Sequence, residues 1–209
     1  MARIKQSLDK DLEKIVHVEA ATRSMASGLG SHGIALVFLV FVALMAAIFS
    51  GVTSDSVMVV MAAILGGYMA LNIGANDVAN NVGPAVGSRA LTLFGALVIA
   101  AVFESAGALL AGGEVVNTIS KGIIDPSLVE DTSVFILAMM AALISAALWV
   151  NLATFIGAPV STTHAVVGGV MGAGVAAVGF ALVNWGTMSA IAASWVISPV
   201  LGGVIAAGF

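Results

Sequence analysis

Apolar runs long enough to cross a bilayer recur along this chain, and they constrain its fold more than any single motif does. About 20 apolar residues span a hydrocarbon core. One run covers Ile34 to Ser50, a second begins near Ser56 and continues into "NIGANDVANNVGP", and a third covers Ala90 to Ala111. After "GGEVVNTISKGIIDPSLVEDTS", which reads as a polar loop, follow Val134 to Pro159, Ala165 to Val183 and Met188 to Phe209. With 60% hydrophobic and only 9% charged residues, and a mean hydropathy of +1.14, the chain lacks the polar surface that a soluble domain of its length needs. The sequence therefore predicts an all-α polytopic membrane protein.

Other classes fall away on composition. The chain has no cysteine, which excludes disulfide frameworks, thiolate metal sites and cysteine nucleophiles. No basic patch supports nucleic-acid binding. Residues 1–33 mix both charge signs at helix-like spacing and then loosen into Gly and Ser, which predicts a cytoplasmic amphipathic tail and linker ahead of a transmembrane domain over 34–209. Five Lys or Arg residues precede the first span and Arg89 follows the second, whereas Gly112 to Ser133 holds one Lys and four acidic residues. By the positive-inside rule the N-terminus lies in the cytoplasm. The last run ends without a polar flank, which reads as a piece of a longer transporter.

Two polar segments interrupt this apolar background. In the first, Asn72, Asn76 and Asn80 fall at i, i+4 and i+8 on one helical stripe, while Asp77 and Asn81 form a pair on the next. Gly74 and Gly83-Pro84 are expected points of unwinding. An ionised carboxylate in lipid must face a polar cavity, a cation or another partner. Asp carboxylate, Asn amides and carbonyls freed at a helix break make an oxygen-rich set suited to Na⁺, and broken helices at mid-depth mark binding sites in secondary transporters. The bland alternative is amide bonding between packed helices.

The second segment is "GAPVSTTHAVVGGVMGAG", Gly157 to Gly174. Pro159 interrupts a helix, and Ser161, Thr162 and Thr163 offer hydroxyls where the next one starts. Free N–H groups and the positive end of the dipole make such a start a site for an oxyanion, or simply a capped terminus. His164 could touch substrate, titrate, or bond a neighbouring helix. Gly168 and Gly172, with Gly169 and Gly174 beside them, read as a small-residue packing face. Glu104 lies within the third span and is a functional candidate by its position in lipid. Arg89 and Lys121 read as flank or loop charges, so a bound anion is offset by co-bound cations and helix dipoles, which is the physical basis of symport.

"GANDVANNVGPAVGSRALT" and "APVSTTHAVVGGVMGAGV" resemble the signature segments of the inorganic phosphate transporter (PiT) family, and "FESAGALLAGGEVVNTISKGIID" and "SWVISPVLGG" are also similar to family segments. The resemblance covers about Ser56 to Phe209. It implies a Na⁺- or H⁺-coupled phosphate symporter of the cell membrane, with no cofactor beyond the coupling ion and no catalysis. It further implies a site formed by the two segments, with phosphate binding by Asn76, Asp77, Asn80, Ser161, Thr162 and Thr163 and Na⁺ binding by Asn76, Asp77, Asn81 and Thr163; Glu104 and His164 are candidates for coupling on their own chemistry. The family pattern has two inverted repeats with broken or re-entrant helices. This chain shows one of each segment, so a second repeat or a homo-oligomeric partner is expected. The rivals are a symporter of another oxyanion such as sulfate, a non-transporting scaffold or receptor subunit, and an intramembrane hydrolase using Ser161 and His164.

Overall fold

The computed structural model describes residues 31–51, 56–129 and 131–209. The predicted tail, apart from residues 31–33, lies outside them, and those three residues open the first helix rather than ending a linker. Six helices carry the described chain: α1 (Ser31–Ser50), α2 (Ser56–Gly87), α3 (Leu93–Asn117), α4 (Thr132–Phe155), α5 (Thr162–Val178) and α6 (Trp185–Gly208). All but α5 are long and apolar enough to span a membrane. No strand forms among the described residues, so backbone hydrogen bonds close within helices, as a chain in lipid requires. The protein is an all-α polytopic membrane protein.

Two compact units divide at Gly67, Met1–Gly67 and Tyr68–Phe209. In the first, α1 packs on the opening turns of α2. A Cβ added to Gly67 would lie 3.2 Å from Leu39 Cδ2, so glycine sets how closely these helices approach.

In the second unit the firmest packing joins α4 to α5. Gly169 sits against α4 so closely that an added Cβ would stand 2.9 Å from the Ala142 carbonyl oxygen, and one on Gly174 would meet Ile124 Cγ2 at the same distance. The expected packing face is corrected here. Gly168 and Gly172 have nothing within 4 Å, so the packed pair is Gly169 and Gly174. Around the latter, Ile123, Ile124 and Leu182 are fully buried with Val167 and Val170. The segments after α3 and after α5 are clasped there by a bridge between Ile124 and Val183, with Asn184 N–H donating to the Ile123 carbonyl at 2.9 Å.

Side chains start most of the helices. Thr92 caps α3, Asp131 caps α4, Ser161 caps α5 and Asn184 caps α6, each accepting a first-turn backbone N–H. Gly157 (φ 72°) and Gly179 (φ 108°) leave α4 and α5 through the left-handed region, where a side chain would be strained.

Two expectations about helix limits are overturned. α2 does not unwind at Gly74 or at Gly83-Pro84; it runs unbroken for 32 residues to Gly87. An interior glycine costs a helix only about 1 kcal/mol relative to alanine, less than unpaired backbone in lipid, and Pro84 lies three residues from the helix end. The supposed polar loop after Ala111 is largely helical: α3 continues to Asn117, and a π-helical turn carries on through Thr118–Gly122. The non-helical link is correspondingly short, and within it Asp125 and Pro126 open a single 3₁₀ turn. The break at Pro159 is present, between α4 and α5.

Candidate functional site

The two polar segments meet. The Thr162 hydroxyl, at the first position of α5, donates to Asp77 Oδ2 on α2 at 2.6 Å, across 85 residues of sequence. Thr162 is 5% exposed and Asp77 half-buried. Ser161 caps α5 by accepting the His164 N–H at 3.3 Å, and its Oγ lies 2.5 Å from His164 Nδ1. The imidazole stacks on the Trp195 indole of α6, with ring centroids 3.8 Å apart and planes at 28°.

These groups line one cleft of about 860 Å³. Asp77 and Ile73 come from α2, Glu114 and Thr118 from the end of α3 and its π turn, Ser161 to His164 from α5, and Ser194, Trp195 and Ser198 from α6. Among the described residues its charged lining is acidic, Asp77 and Glu114, beside His164, and no Lys or Arg lines it. The N–H groups of Thr162 and Thr163 precede any intrahelical acceptor and stand at the positive end of the α5 dipole. An anion there meets hydroxyls and amides, but also the Asp77 carboxylate one hydrogen bond away. Like charges on the order of 5 Å apart repel by about 3 kcal/mol at an effective dielectric of about 20. A cation bound with the anion removes that repulsion, and the carboxylate and hydroxyl oxygens are the ligand type a hard cation takes.

Not every predicted residue arrives. Asn76 is 5% exposed and outside the cleft lining: its amide donates to Thr154 Oγ1 of α4 at 3.2 Å, and its oxygen accepts from Asn80 at 3.0 Å. Asn72 accepts from Asn151 of α4 at 3.0 Å and donates to the Tyr68 carbonyl. The stripe of asparagines is thus a ladder bonding α2 to α4, the arrangement that amide bonding between packed helices describes. Asn80 and Asn81 are exposed and do not line the cleft. Neither does Glu104, which is exposed; Glu114 supplies the α3 carboxylate instead. Sequence reasoning missed Glu114, Trp195 and Ser198. The "SWVISP" segment was visible as a Ser-Trp-Pro interruption of an apolar helix, and Glu114 was hidden by the assignment of its stretch to a loop.

Asp125, outside the spans, accepts both the hydroxyl and the backbone N–H of Ser127, and these bonds, the hydroxyl's first, hold its carboxyl below the usual range.

Residues 73–209 match the profile of the phosphate transporter family. A protein of Helicobacter pylori strain J99 named "Putative phosphate permease" is 52% identical over 199 residues, which make up 95% of this chain and 37% of that protein. A protein of Pyrococcus abyssi with the same designation is 47% identical over 143 residues, 68% of this chain and 35% of that one. Among solved structures, "The sodium-dependent phosphate transporter" superposes with a TM-score of 0.68 at 48% identity, over 71% of this chain and 37% of that chain. The chain spans little more than a third of the length of these relatives.

Proposed function

The chain belongs to the phosphate transporter family, and on that premise we propose that it is the phosphate- and cation-binding repeat of a Na⁺-coupled phosphate symporter in the cell membrane, with its N-terminus in the cytoplasm. The observation that carries this reading is the hydrogen bond from Thr162 to Asp77, which joins the hydroxyl-rich start of α5 to the acidic segment of α2 at one cleft. Phosphate is held by the Ser161 and Thr163 hydroxyls and by the first N–H groups of α5, Thr162 contributing through its backbone because its hydroxyl proton is committed to Asp77. Na⁺ is held beside it by Asp77 with the Thr163 hydroxyl, neutralising the repulsion between carboxylate and phosphate. Asn76, Asn80 and Asn81 act through the α2 segment: the first two fix the face that presents Asp77.

The order of events follows from the charges. Phosphate entering a cleft lined by two carboxylates is repelled; Na⁺ entering is attracted. Na⁺ therefore binds first or together with phosphate, and neither crosses efficiently alone. That linkage is the coupling. Sodium is favoured over protons by the similarity to a sodium-dependent phosphate transporter and by the hard-oxygen character of the ligand set. The cleft is open, and the relatives are about two to two and a half times as long, so closure around the cargo is assigned to further polypeptide, a second repeat against which this one rocks.

Uptake of radiolabelled phosphate into vesicles under imposed Na⁺ and H⁺ gradients tests the reading. It predicts accumulation driven by inward Na⁺ and abolished by replacing Na⁺ with choline. Accumulation driven equally by a proton gradient without Na⁺, or accumulation of sulfate in preference to phosphate, contradicts it.

A further inference from the structure

Trp195 belongs to none of the groups that could bind an anion or a cation by charge, yet it stands at the centre of the cleft's α6 wall. Its indole is half-buried and carries the His164 imidazole on its face. His164 in turn is joined to Ser161 twice, through its backbone N–H and through Nδ1. Ser161 is thus held from one side only, by a histidine whose ring is fixed from a different helix.

Ser161 Oγ has one proton and two lone pairs to distribute. Its backbone cap uses one lone pair; in the tautomer with its proton on Nδ1 the imidazole donates to the other, which leaves the O–H free to donate to an anion. The position of the imidazole therefore sets where the remaining site on Oγ points. An exposed histidine at the start of a helix has two freely rotating side-chain torsions; a stacked one does not. The orientation of Ser161 depends on the stack, and the stack depends on Trp195.

The local backbone of α6 bears on the same point. Pro199 lies one turn beyond Trp195 and has no N–H, so the Trp195 carbonyl loses its usual helical donor. α6 nevertheless remains helical from Trp185 to Gly208. The turn carrying Trp195 thus has one backbone bond fewer than a regular helical turn, and a displacement there moves the imidazole and, through it, the Ser161 hydroxyl.

We propose that Trp195 is a positioning residue for substrate affinity: its stack on His164 orients the Ser161 hydroxyl toward the anion, so that α6 governs the anion-binding end of α5. The inference rests on the reading of the cleft as a phosphate site. Loss of one well-directed hydroxyl bond to a charged oxyanion weakens binding about ten- to a hundredfold. Trp195 contributes no such bond itself, so its whole effect passes through His164.

The experiment is Na⁺-driven phosphate uptake by the full chain in its cellular assembly, with surface level measured for each variant. Trp195→Leu is expected to raise the KM for phosphate at least about tenfold, while the maximal rate per surface molecule stays within about twofold. Trp195→Phe, which keeps a ring to stack on, is expected to restore the KM to within about threefold of the wild type. In a His164→Ala background the Trp195→Leu change should add nothing further, because residues that act through a shared partner are not additive. A KM unchanged by Trp195→Leu, a loss confined to surface level or maximal rate, or full additivity with His164→Ala would each overturn the proposal. Wild-type cells that fail to take up phosphate would overturn the underlying reading instead, and with it this one. If Trp195→Leu does not reach the membrane, Trp195→Met, which fills much of the same space without a ring to stack, is compared with wild type in the two His164 backgrounds and decides the matter by the same criterion.

Discussion

Replacing Asp77 by asparagine separates the two roles its carboxylate could have. As a clip, Asp77 accepts the Thr162 hydroxyl at 2.6 Å. An asparagine oxygen in the same place accepts that bond too, so the fold loses only the charge assistance, about 1 kcal/mol. For a unit of this size that is a fall in melting temperature of roughly 2–4 °C. As a cation ligand, the carboxylate does far more. A full charge about 2.5 Å from Na⁺ contributes about 6–7 kcal/mol at an effective dielectric of about 20, and desolvation of the two ions offsets several of these. A net of about 3 kcal/mol remains, on the order of a hundredfold in Na⁺ affinity. The assay is phosphate uptake at fixed phosphate over a range of Na⁺ concentrations, with melting followed in detergent. Asp77→Asn is expected to insert and fold, to raise the Na⁺ concentration for half-maximal uptake about a hundredfold, and so to abolish uptake at ordinary Na⁺. A variant with wild-type Na⁺ dependence would refute the reasoning and leave Asp77 as a clip between α2 and α5.

Four further outcomes follow from the same structure. Thr163→Ala should raise the phosphate KM about ten- to a hundredfold, and Ser161→Ala should do so while also costing α5 its cap, about 1 kcal/mol, read as kinetics and melting side by side. Gly169→Ala should destabilise by about 1–3 kcal/mol, because its Cβ would press on the Ala142 carbonyl at 2.9 Å, whereas Gly168→Ala should be neutral or slightly stabilising; thermal unfolding compares them. The lowered carboxyl of Asp125 means that its contribution to the segment between α3 and α4 is complete above the usual carboxylate range and disappears as pH falls through its depressed value; Ser127→Ala should shift that loss to higher pH, as followed by carboxyl chemical shifts. In this cysteine-free chain, single cysteines at Ser7 and Ser127 should label from the cytoplasmic and external sides respectively with an impermeant maleimide, and the reverse pattern would invert the proposed orientation.

The sequence showed the spans, the break at Pro159 and the pairing of chemistries more clearly than it showed which residue faces the cleft. Ser161 as a cap and Asp77 as a carboxylate in need of a partner follow from residue type and from the cost of charge in lipid, and both hold in the fold. The asparagines were harder, because an amide bonds a cation, an anion or another amide with similar ease. Only the presence of Thr154 and Asn151 on the facing side of α4 assigns Asn76 and Asn72 to helix contact. Glu104 and Glu114 illustrate a different limit. They lie ten residues apart, about 15 Å along a helix, and the one that meets the cleft is decided by how far α3 extends. That extension depends on Gly112 and Gly113 staying helical, which local propensity disfavours and the membrane setting enforces. Trp195 needed the fold outright, since its partner is 31 positions away on another helix.

The central claim is that phosphate binds at the start of α5 only when a cation offsets Asp77. Equilibrium binding of radiolabelled phosphate to the purified protein, in NaCl and in choline chloride at equal ionic strength, tests this without requiring transport. The account predicts saturable binding in Na⁺ whose affinity rises with Na⁺ concentration, and a loss of at least about tenfold in choline. Equal phosphate affinity in the two salts would contradict it.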